Sequence, residues 1–167
     1  TRTGEHGMKF GIPDDQVVEV ARTANDIAHV ELVGVAAHIG SQISDPDPYT
    51  VTAEQLAGLV EEIRQAGVTT LKYIDIGGGL AVTYDDETPT DLQKFASAIR
   101  PVIQKTGLSL LLEPGRYLVA DAGVLLTRVI YRKHSGGKEI VITDAGMNDL
   151  IRPALYEAYH TIDVVHE

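Results

Sequence analysis

Apolar residues recur at helical spacing in three separate stretches of the first 120 residues. A window opened by Pro13 covers 14–27, and two more cover 52–66 and 91–106. In each window the apolar positions repeat every three or four residues, which places them on one face of a helix. Gly107 follows the third window directly and is a typical residue to end a helix. The pattern therefore predicts three amphipathic helices.

Short apolar runs lie between these windows. Residues 32–39, 71–76 and 108–112 are almost continuously apolar. Such runs are typical of strands that are covered on both faces, as in a parallel sheet. Strands that alternate with helices along a chain form right-handed crossover units. We therefore expect an α/β fold with a parallel sheet.

The pattern changes near residue 120. Two β-rich runs, 124–131 and 139–143, flank Ser135-Gly136-Gly137-Lys138, which is typical of a hairpin turn. A helical pattern then covers 148–159. The sequence thus predicts a parallel α/β portion followed by an antiparallel β portion.

Two architectures fit the parallel portion. A complete small α/β domain is one of them, because three parallel strands cannot close a barrel, which needs eight. The other is a slice of such a barrel, and we favour it because a polar motif follows each strand. On this interpretation residues 1–120 are the C-terminal half of a (β/α)₈ barrel, and 121–167 begin an antiparallel β domain. The chain starts at Thr1 and ends in an extended run, 162–167, so we expect a piece of a longer protein.

The chain carries a formal net charge of -10 and contains no cysteine. This acidic balance argues against nucleic acid or a membrane surface as a partner, because both attract basic proteins. The lack of cysteine excludes disulfides and thiolate metal sites within the chain. No apolar run is long enough to span a membrane. We expect a cytoplasmic protein without a metal site, and we assign the histidines other than His38 to the surface because they lack metal-ligand spacing.

Two motifs with candidate chemistry follow the second and third predicted strands. Gly77-Gly78-Gly79 lets backbone N–H groups approach an anion such as phosphate, although an ordinary loose turn explains the triplet equally well. In Glu113-Pro114-Gly115-Arg116 the carboxylate can hold a ring nitrogen protonated, and the guanidinium can bind phosphate or carboxylate. A surface turn with an incidental ion pair is the alternative for this second motif.

Two further groups are candidates for binding. His38-Ile39-Gly40-Ser41 follows the first predicted strand, where an imidazole can stack on a planar cofactor and a hydroxyl can reach a phosphate. A structural histidine is the alternative. Arg152 and Tyr156 are four residues apart in the last predicted helix and therefore share a face that can bind a carboxylate. A solvent-exposed helix face is the alternative there, and the acidic run 85–87 is expected to be a solvated loop.

Together these motifs resemble those of the alanine-racemase-like group of pyridoxal-phosphate-dependent decarboxylases and, within it, the diaminopimelate decarboxylases. The resemblance extends over nearly the whole chain. It rests on Lys9-Phe10-Gly11-Ile12, His38-Ile39-Gly40-Ser41-Gln42, Asp75-Ile76-Gly77-Gly78-Gly79, Glu113-Pro114-Gly115-Arg116 and the block 144–156. The last block is the most particular to the diaminopimelate decarboxylases. The resemblance implies a cofactor-binding (β/α)₈ barrel, a β-sandwich-like C-terminal domain, a homodimer and an amino-acid substrate.

The resemblance also implies roles for individual residues. The cofactor-binding set would be His38, Ser41, Gly78, Gly79, Glu113, Gly115 and Arg116. In this set His38 would stack on the pyridoxal phosphate ring, and Glu113 would pair with its ring nitrogen. Substrate contacts would come from Arg116, Arg152 and Tyr156, the last two at the distal carboxylate of diaminopimelate.

Some residues of the family's active site have no counterpart in this chain. The Schiff-base lysine of the family precedes the matched region, and its catalytic cysteine follows that region. We therefore expect the isolated chain to have no complete catalytic set and to be inactive. A related decarboxylase for ornithine, arginine or carboxynorspermidine, or a non-catalytic binding module of the same fold, are the alternatives.

Overall fold

The computed structural model describes residues 9–165. Its elements in chain order are α1 (Asp14–Asn25), β1 (Gly34–Ala36), α2 (Asp47–Gln65), β2 (Tyr73–Asp75), α3 (Leu92–Thr106), β3 (Ser109–Leu111), α4 (Gly115–Val119), a 3₁₀ turn (Ala120–Ala122), β4 (Val129–Ser135), β5 (Lys138–Thr143) and α5 (Arg152–Tyr156). The described chain divides into two compact units. Unit 1 comprises residues 9–82 and 88–120, and unit 2 comprises 83–87 and 121–165.

Unit 1 contains a three-stranded parallel sheet in the order β1-β2-β3. Ile74 in the centre of β2 pairs with Val35 on one side and with Leu110 on the other. The predicted α/β class with a parallel sheet is confirmed. Each strand has three residues, fewer than the apolar runs suggested, although single backbone hydrogen bonds between the chain segments continue beyond the strand ends.

The core of unit 1 lies between the sheet and the helices α2 and α3. Ile74 is fully buried, as is Ile63 of α2, and Phe95 and Ile99 of α3 pack into the same cluster. Burial of each such side chain contributes roughly 1.5–3 kcal/mol to folding. The central strand and two helices are therefore the rigid support for the loops at the strand ends.

The helix boundaries agree with the sequence where capping residues are strong. Asp91 caps α3 by accepting hydrogen bonds from the N–H groups of Gln93 and Lys94, and Gly107 ends it in the left-handed conformation. Helix α2 begins at Asp47, five residues before the predicted start at 52. Pro48 does not prevent this early start, since the first turn of a helix needs no N–H donor from its residues.

Unit 2 is built on the antiparallel hairpin of β4 and β5. Gly136 and Gly137 at its tip both have positive φ, which confirms the predicted turn. Helix α5 has only five residues, much shorter than the predicted 148–159. Pro153 occupies its first turn, and Glu157 ends it in the left-handed conformation with φ 52°. No helix within residues 9–165 combines the length and apolar character that crossing a bilayer requires.

Candidate functional site

Three motifs meet at the carboxyl ends of the parallel strands in unit 1. His38, Gly77 and Glu113 each come two residues after the last residue of β1, β2 and β3. Because the three strands end in register, these residues lie at the same level of the sheet. The Glu113 N–H donates to the Gly77 carbonyl at 2.9 Å, and the Ala37 N–H donates to the Asp75 carbonyl at 2.9 Å. The ladder thus carries on into the loops and fixes their spacing.

The glycine triplet is needed for this close packing. A Cβ added to Gly77, Gly78 or Gly79 would come closer than 3.0 Å to a backbone oxygen of the loop after β1 or β3. For Gly78 that atom is the Glu113 carbonyl oxygen. Gly77 and Gly79 also have φ of 74° and 94°, a region that L-residues with a Cβ rarely adopt. Close backbone packing is therefore a role of the triplet that the sequence did not reveal.

Tyr49 of α2 forms a hydrogen bond to the same glycine triplet. Its hydroxyl donates to the Gly78 carbonyl at 3.0 Å, and its ring packs edge-to-face on Phe95 with centroids 5.0 Å apart. The side chain is 1% exposed. Burial raises the pKa of Tyr49 from 10.0 to about 12, because the phenolate would lose its hydration.

The raised pKa of Tyr49 predicts a loss of stability at alkaline pH. The folded-state pKa lies above the unfolded value, so the stabilisation is complete below pH 10 and is lost as the pH rises towards 12. A shift of this size corresponds to about 2–3 kcal/mol. We expect the free energy of unfolding, measured with urea from pH 9 to 12, to fall less in Tyr49→Phe than in the native chain. Equal falls in both proteins would contradict the assignment.

The imidazole of His38 is oriented by the glycine loop. The Gly78 N–H donates to His38 Nδ1 over a long 3.4 Å, so that Nδ1 is the acceptor and Nε2 carries the hydrogen in the neutral ring. The Gly77 N–H in turn donates to Asp75 Oδ1 at 2.8 Å. These two contacts hold the loop after β2 against the loop after β1.

A cavity of about 270 Å³ lies at these strand ends. Its lining residues are His38, Ser41, Gln42, Gly79, Leu80, Glu113, Pro114, Gly115, Arg116 and Tyr117. The structure therefore brings together every residue of the expected cofactor-binding set except Gly78, whose N–H contacts His38. The Glu113 carboxylate, the Ser41 hydroxyl and the Gly79 N–H make no hydrogen bond to any other group within residues 9–165. They are thus open to a ligand.

Gln42 is a site residue to which the sequence assigned no role. Its Nε2 donates to the Val82 carbonyl at 2.9 Å, and its Oε1 accepts from the Val82 N–H at 3.0 Å. The same Oε1 accepts from Arg116 Nη1 at 3.2 Å. Gln42 therefore ties the loop after β1 to Arg116, across 74 residues of sequence, a link that no local pattern indicates.

Replacing Gln42 with alanine is expected to lower the free energy of unfolding by about 1–3 kcal/mol, because the backbone N–H and C=O of buried Val82 lose their partners. Gln65→Ala is the matched control. That glutamine contacts only exposed Glu61, at 3.3 Å, and its replacement should change stability by less than about 0.5 kcal/mol. Urea unfolding checks both values, and equal small effects would contradict the role of Gln42.

In unit 2, Arg152 and Tyr156 lie four residues apart on α5. Arg152 Nη1 donates to the Tyr84 hydroxyl at 2.9 Å and lies 3.0 Å from His160 Nε2. Tyr156 is 59% exposed and makes no side-chain hydrogen bond within the described chain. The assignment of His160 to the surface is wrong, since the residue is half-buried against Tyr84 and Arg152.

Among residues 9–165, the other histidines and the acidic groups form no metal-binding cluster. His29 and His134 are exposed as predicted, whereas His6 and His166 lie outside the described residues. Within 9–165 no three His, Asp or Glu side chains are grouped closely enough to hold a metal ion. The acidic run 85–87 is exposed, although Glu87 accepts hydrogen bonds from the N–H groups of Tyr84 and Asp85, which lower its pKa.

A comparison with known protein families identifies the family of this chain. Residues 1–120 match the model described as "Pyridoxal-dependent decarboxylase, pyridoxal binding domain". The chain belongs to this family. The match covers the whole of the predicted parallel portion, including every residue that lines the cavity. The expected family and the expected cofactor, pyridoxal phosphate, are therefore confirmed for this chain.

Individual relatives agree with the family match. A diaminopimelate decarboxylase of Pseudomonas aeruginosa is 45% identical over 163 residues, which are 98% of this chain and 39% of that protein. The crystal structure of the Helicobacter pylori diaminopimelate decarboxylase with L-lysine has a TM-score of 0.90 and 38% identity, covering 99% of this chain and 41% of that one. A structure of SrLDC with PLP and cadaverine has a TM-score of 0.80 and 28% identity over 95% and 42% of the two chains. The chain thus spans about two fifths of the length of the curated relatives it matches.

The residues in the cavity fit pyridoxal phosphate chemically. The Glu113 carboxylate is free to pair with a protonated ring nitrogen, and the His38 imidazole offers a flat face for a ring. The Ser41 hydroxyl, the Gly79 N–H and the Arg116 guanidinium are donors for a phosphate group. The lining holds no lysine, so the cavity offers a ligand only non-covalent contacts.

Proposed function

We propose that this chain forms the cofactor pocket and part of the substrate site of a diaminopimelate decarboxylase, which converts meso-2,6-diaminopimelate to L-lysine and CO₂. One observation carries the proposal: an imidazole, a carboxylate and a guanidinium line one cavity at the ends of adjacent parallel strands. Relatives named diaminopimelate decarboxylase at 39–45% identity support the choice of substrate. So does the bound L-lysine, the product of this reaction, in the Helicobacter pylori structure.

The proposed cofactor contacts follow from the lining of the cavity. When bound, pyridoxal phosphate supplies an electron sink for the charge left on the α-carbon as CO₂ departs. Glu113 holds a proton at the ring nitrogen, because a nearby negative charge favours the protonated form. His38 packs on the ring face. The phosphate contacts come from Ser41, Gly79 and Arg116, and Gly115 lines the same cavity. Gly78 would join them if its N–H turned from His38 Nδ1, a long contact at 3.4 Å, to the phosphate.

The proposed substrate contacts use the arginines. Arg152, with Tyr156, binds the distal carboxylate of diaminopimelate, and Arg116 lies between phosphate and substrate. A guanidinium and a carboxylate form two parallel charge-assisted hydrogen bonds. A substrate without the distal carboxylate leaves the remaining donors of the half-buried Arg152 without a partner, which disfavours ornithine and arginine as substrates.

The proposed setting is a larger, cytoplasmic homodimer. We propose that residues 1–120 belong to the C-terminal half of a (β/α)₈ barrel and that 121–167 begin a β-rich domain. The parallel sheet of unit 1, the hairpin of unit 2 and the greater length of the relatives support this division. The lysine that links the cofactor and the catalytic cysteine would come from other parts of that protein, so the isolated chain is expected to form no borohydride-stable adduct with pyridoxal phosphate at a single lysine.

A chimera tests the proposed function. In the Pseudomonas aeruginosa relative, the matching 163-residue segment is replaced by this chain. We expect the chimera to decarboxylate meso-diaminopimelate and to act on ornithine and arginine at least tenfold more slowly. Visible absorbance of the bound cofactor serves as the folding control. A chimera that holds pyridoxal phosphate but prefers ornithine or arginine, or that decarboxylates none of the three, would contradict the proposal.

A further inference from the structure

We propose that Tyr84 and His160 are positioning residues that fix the guanidinium of Arg152 in the orientation needed to bind a carboxylate. All three residues belong to unit 2. The inference rests on the proposed function for the identity of the carboxylate, but its geometric part stands on unit 2 alone. It adds two residues, 68 positions before and eight positions after Arg152, to the machinery of substrate selection.

The hydrogen bonds of Arg152 define which of its donors remain free. Nη1 carries two hydrogens, and its two neighbours are the Tyr84 hydroxyl at 2.9 Å and His160 Nε2 at 3.0 Å. Both hydrogens of Nη1 are therefore engaged in hydrogen bonds. The Nη2 and Nε donors make no hydrogen bond to any group in the described chain. These two donors lie side by side in the guanidinium plane and match the two oxygens of one carboxylate.

Ring packing restricts rotation of the guanidinium. Its central carbon lies 4.9 Å from the centre of the Tyr84 ring, a distance typical of a cation–π contact. His160 packs edge-to-face on the same ring, with centroids 5.3 Å apart and an angle of 75°. Two hydrogen bonds thus fix the guanidinium of Arg152 within its plane, and the Tyr84 ring contacts it from one face. Such ordering before binding lowers the entropy lost when a ligand arrives.

The contact with Arg152 also determines the state of His160. A guanidinium has only donors, so Nε2 of His160 must supply a lone pair. The imidazole is therefore neutral, with its hydrogen on Nδ1. A protonated His160 would have no acceptor and would place a second positive charge against Arg152.

The position of Tyr84 depends on a tight turn. The carboxylate of Glu87 accepts the N–H groups of Tyr84 and Asp85, both at 2.8 Å. The segment 83–87, which is distant in sequence from the rest of unit 2, clusters with that unit. This turn places the Tyr84 hydroxyl within hydrogen-bonding distance of Arg152.

Three variants in the chimera test the functional part. Tyr84→Phe and His160→Leu are each expected to raise the KM for meso-diaminopimelate roughly three- to tenfold, the effect of losing one hydrogen bond, while kcat changes less than twofold. His160→Gln retains an acceptor and should restore most of the native KM. Tyr131→Phe on the exposed hairpin is the control and should leave KM unchanged. Equal KM values for His160→Leu and His160→Gln would show a merely structural role and overturn the inference.

A spectroscopic test is independent of activity. In the chain labelled with ¹⁵N at its six histidines, the imidazole spectrum at neutral pH should show His160 with hydrogen on Nδ1. The signal is assigned by its loss in His160→Gln. In Arg152→Leu it should move towards the commoner form with hydrogen on Nε2. A native His160 with hydrogen on Nε2 overturns the inference whatever the chimera does. The Nδ1 form together with a chimera inactive on diaminopimelate would overturn only the proposed function.

Discussion

Gly78→Ala is expected to destabilise unit 1 by about 3 kcal/mol or more. Its Cβ would overlap the backbone carbonyl oxygen of Glu113, which cannot rotate away. That carbonyl belongs to a loop tied to Gly77 by a 2.9 Å hydrogen bond, and Gly78 itself is tied to Tyr49. Neither the Glu113 loop nor Gly78 can shift without breaking a hydrogen bond, so the loops after β2 and β3 must separate. Glu113 would then leave its place in the cavity.

Urea unfolding of Gly78→Ala and Gly58→Ala measures this effect against a matched control. Gly58 lies in the exposed face of α2, and a Cβ there would meet no atom within 4 Å. Alanine at that position should raise the free energy of unfolding by about 0.5–1 kcal/mol, because it restricts the unfolded chain and favours the helix. A Gly78→Ala chain as stable as the native one would disprove the close packing of the two loops.

The predictable part of the fold is the part encoded by local rules. Apolar periodicity and the caps Asp91 and Gly107 predict α3 closely, and the paired glycines predict the β4–β5 turn. The start of α2 and the short α5 were not predicted correctly. In both, a proline lies in the first turn, where sequence alone does not reveal whether it opens a helix or belongs to a loop.

The predictable part of the site follows from strand register. Motifs at the same offset from three parallel strands must meet, so the convergence of His38, the glycine triplet and Glu113 was implied by the sequence. The supporting contacts were not. Gln42 meets Arg116 and Tyr84 meets Arg152 across 74 and 68 residues, and such pairings depend on how loops fold back rather than on any periodic pattern. Residues that orient a guanidinium therefore appear only in the structure.

Arg152→Leu is expected to have the largest effect on the proposed reaction. In the chimera it should raise the KM for meso-diaminopimelate about 100-fold or more, because two charge-assisted hydrogen bonds to the distal carboxylate are lost, each contributing about 1.5–3 kcal/mol. Arg152→Lys keeps the charge but not the planar pair of donors, and should recover only part of the loss. Steady-state kinetics with both variants measures the difference.

Inhibition by L-lysine and by cadaverine separates this role of Arg152 from a general loss of structure. L-lysine retains the distal carboxylate, because the reaction removes the carboxylate next to the cofactor, so its inhibition constant should rise in Arg152→Leu together with the KM for diaminopimelate. Cadaverine has no carboxylate, so its inhibition constant should change less than about threefold, a free-energy difference below about 0.7 kcal/mol. An equal loss for diaminopimelate, L-lysine and cadaverine would mean that Arg152 supports the fold rather than the distal carboxylate. A loss confined to diaminopimelate and L-lysine assigns the guanidinium to the distal carboxylate, and through it the choice of a diacid over ornithine or arginine.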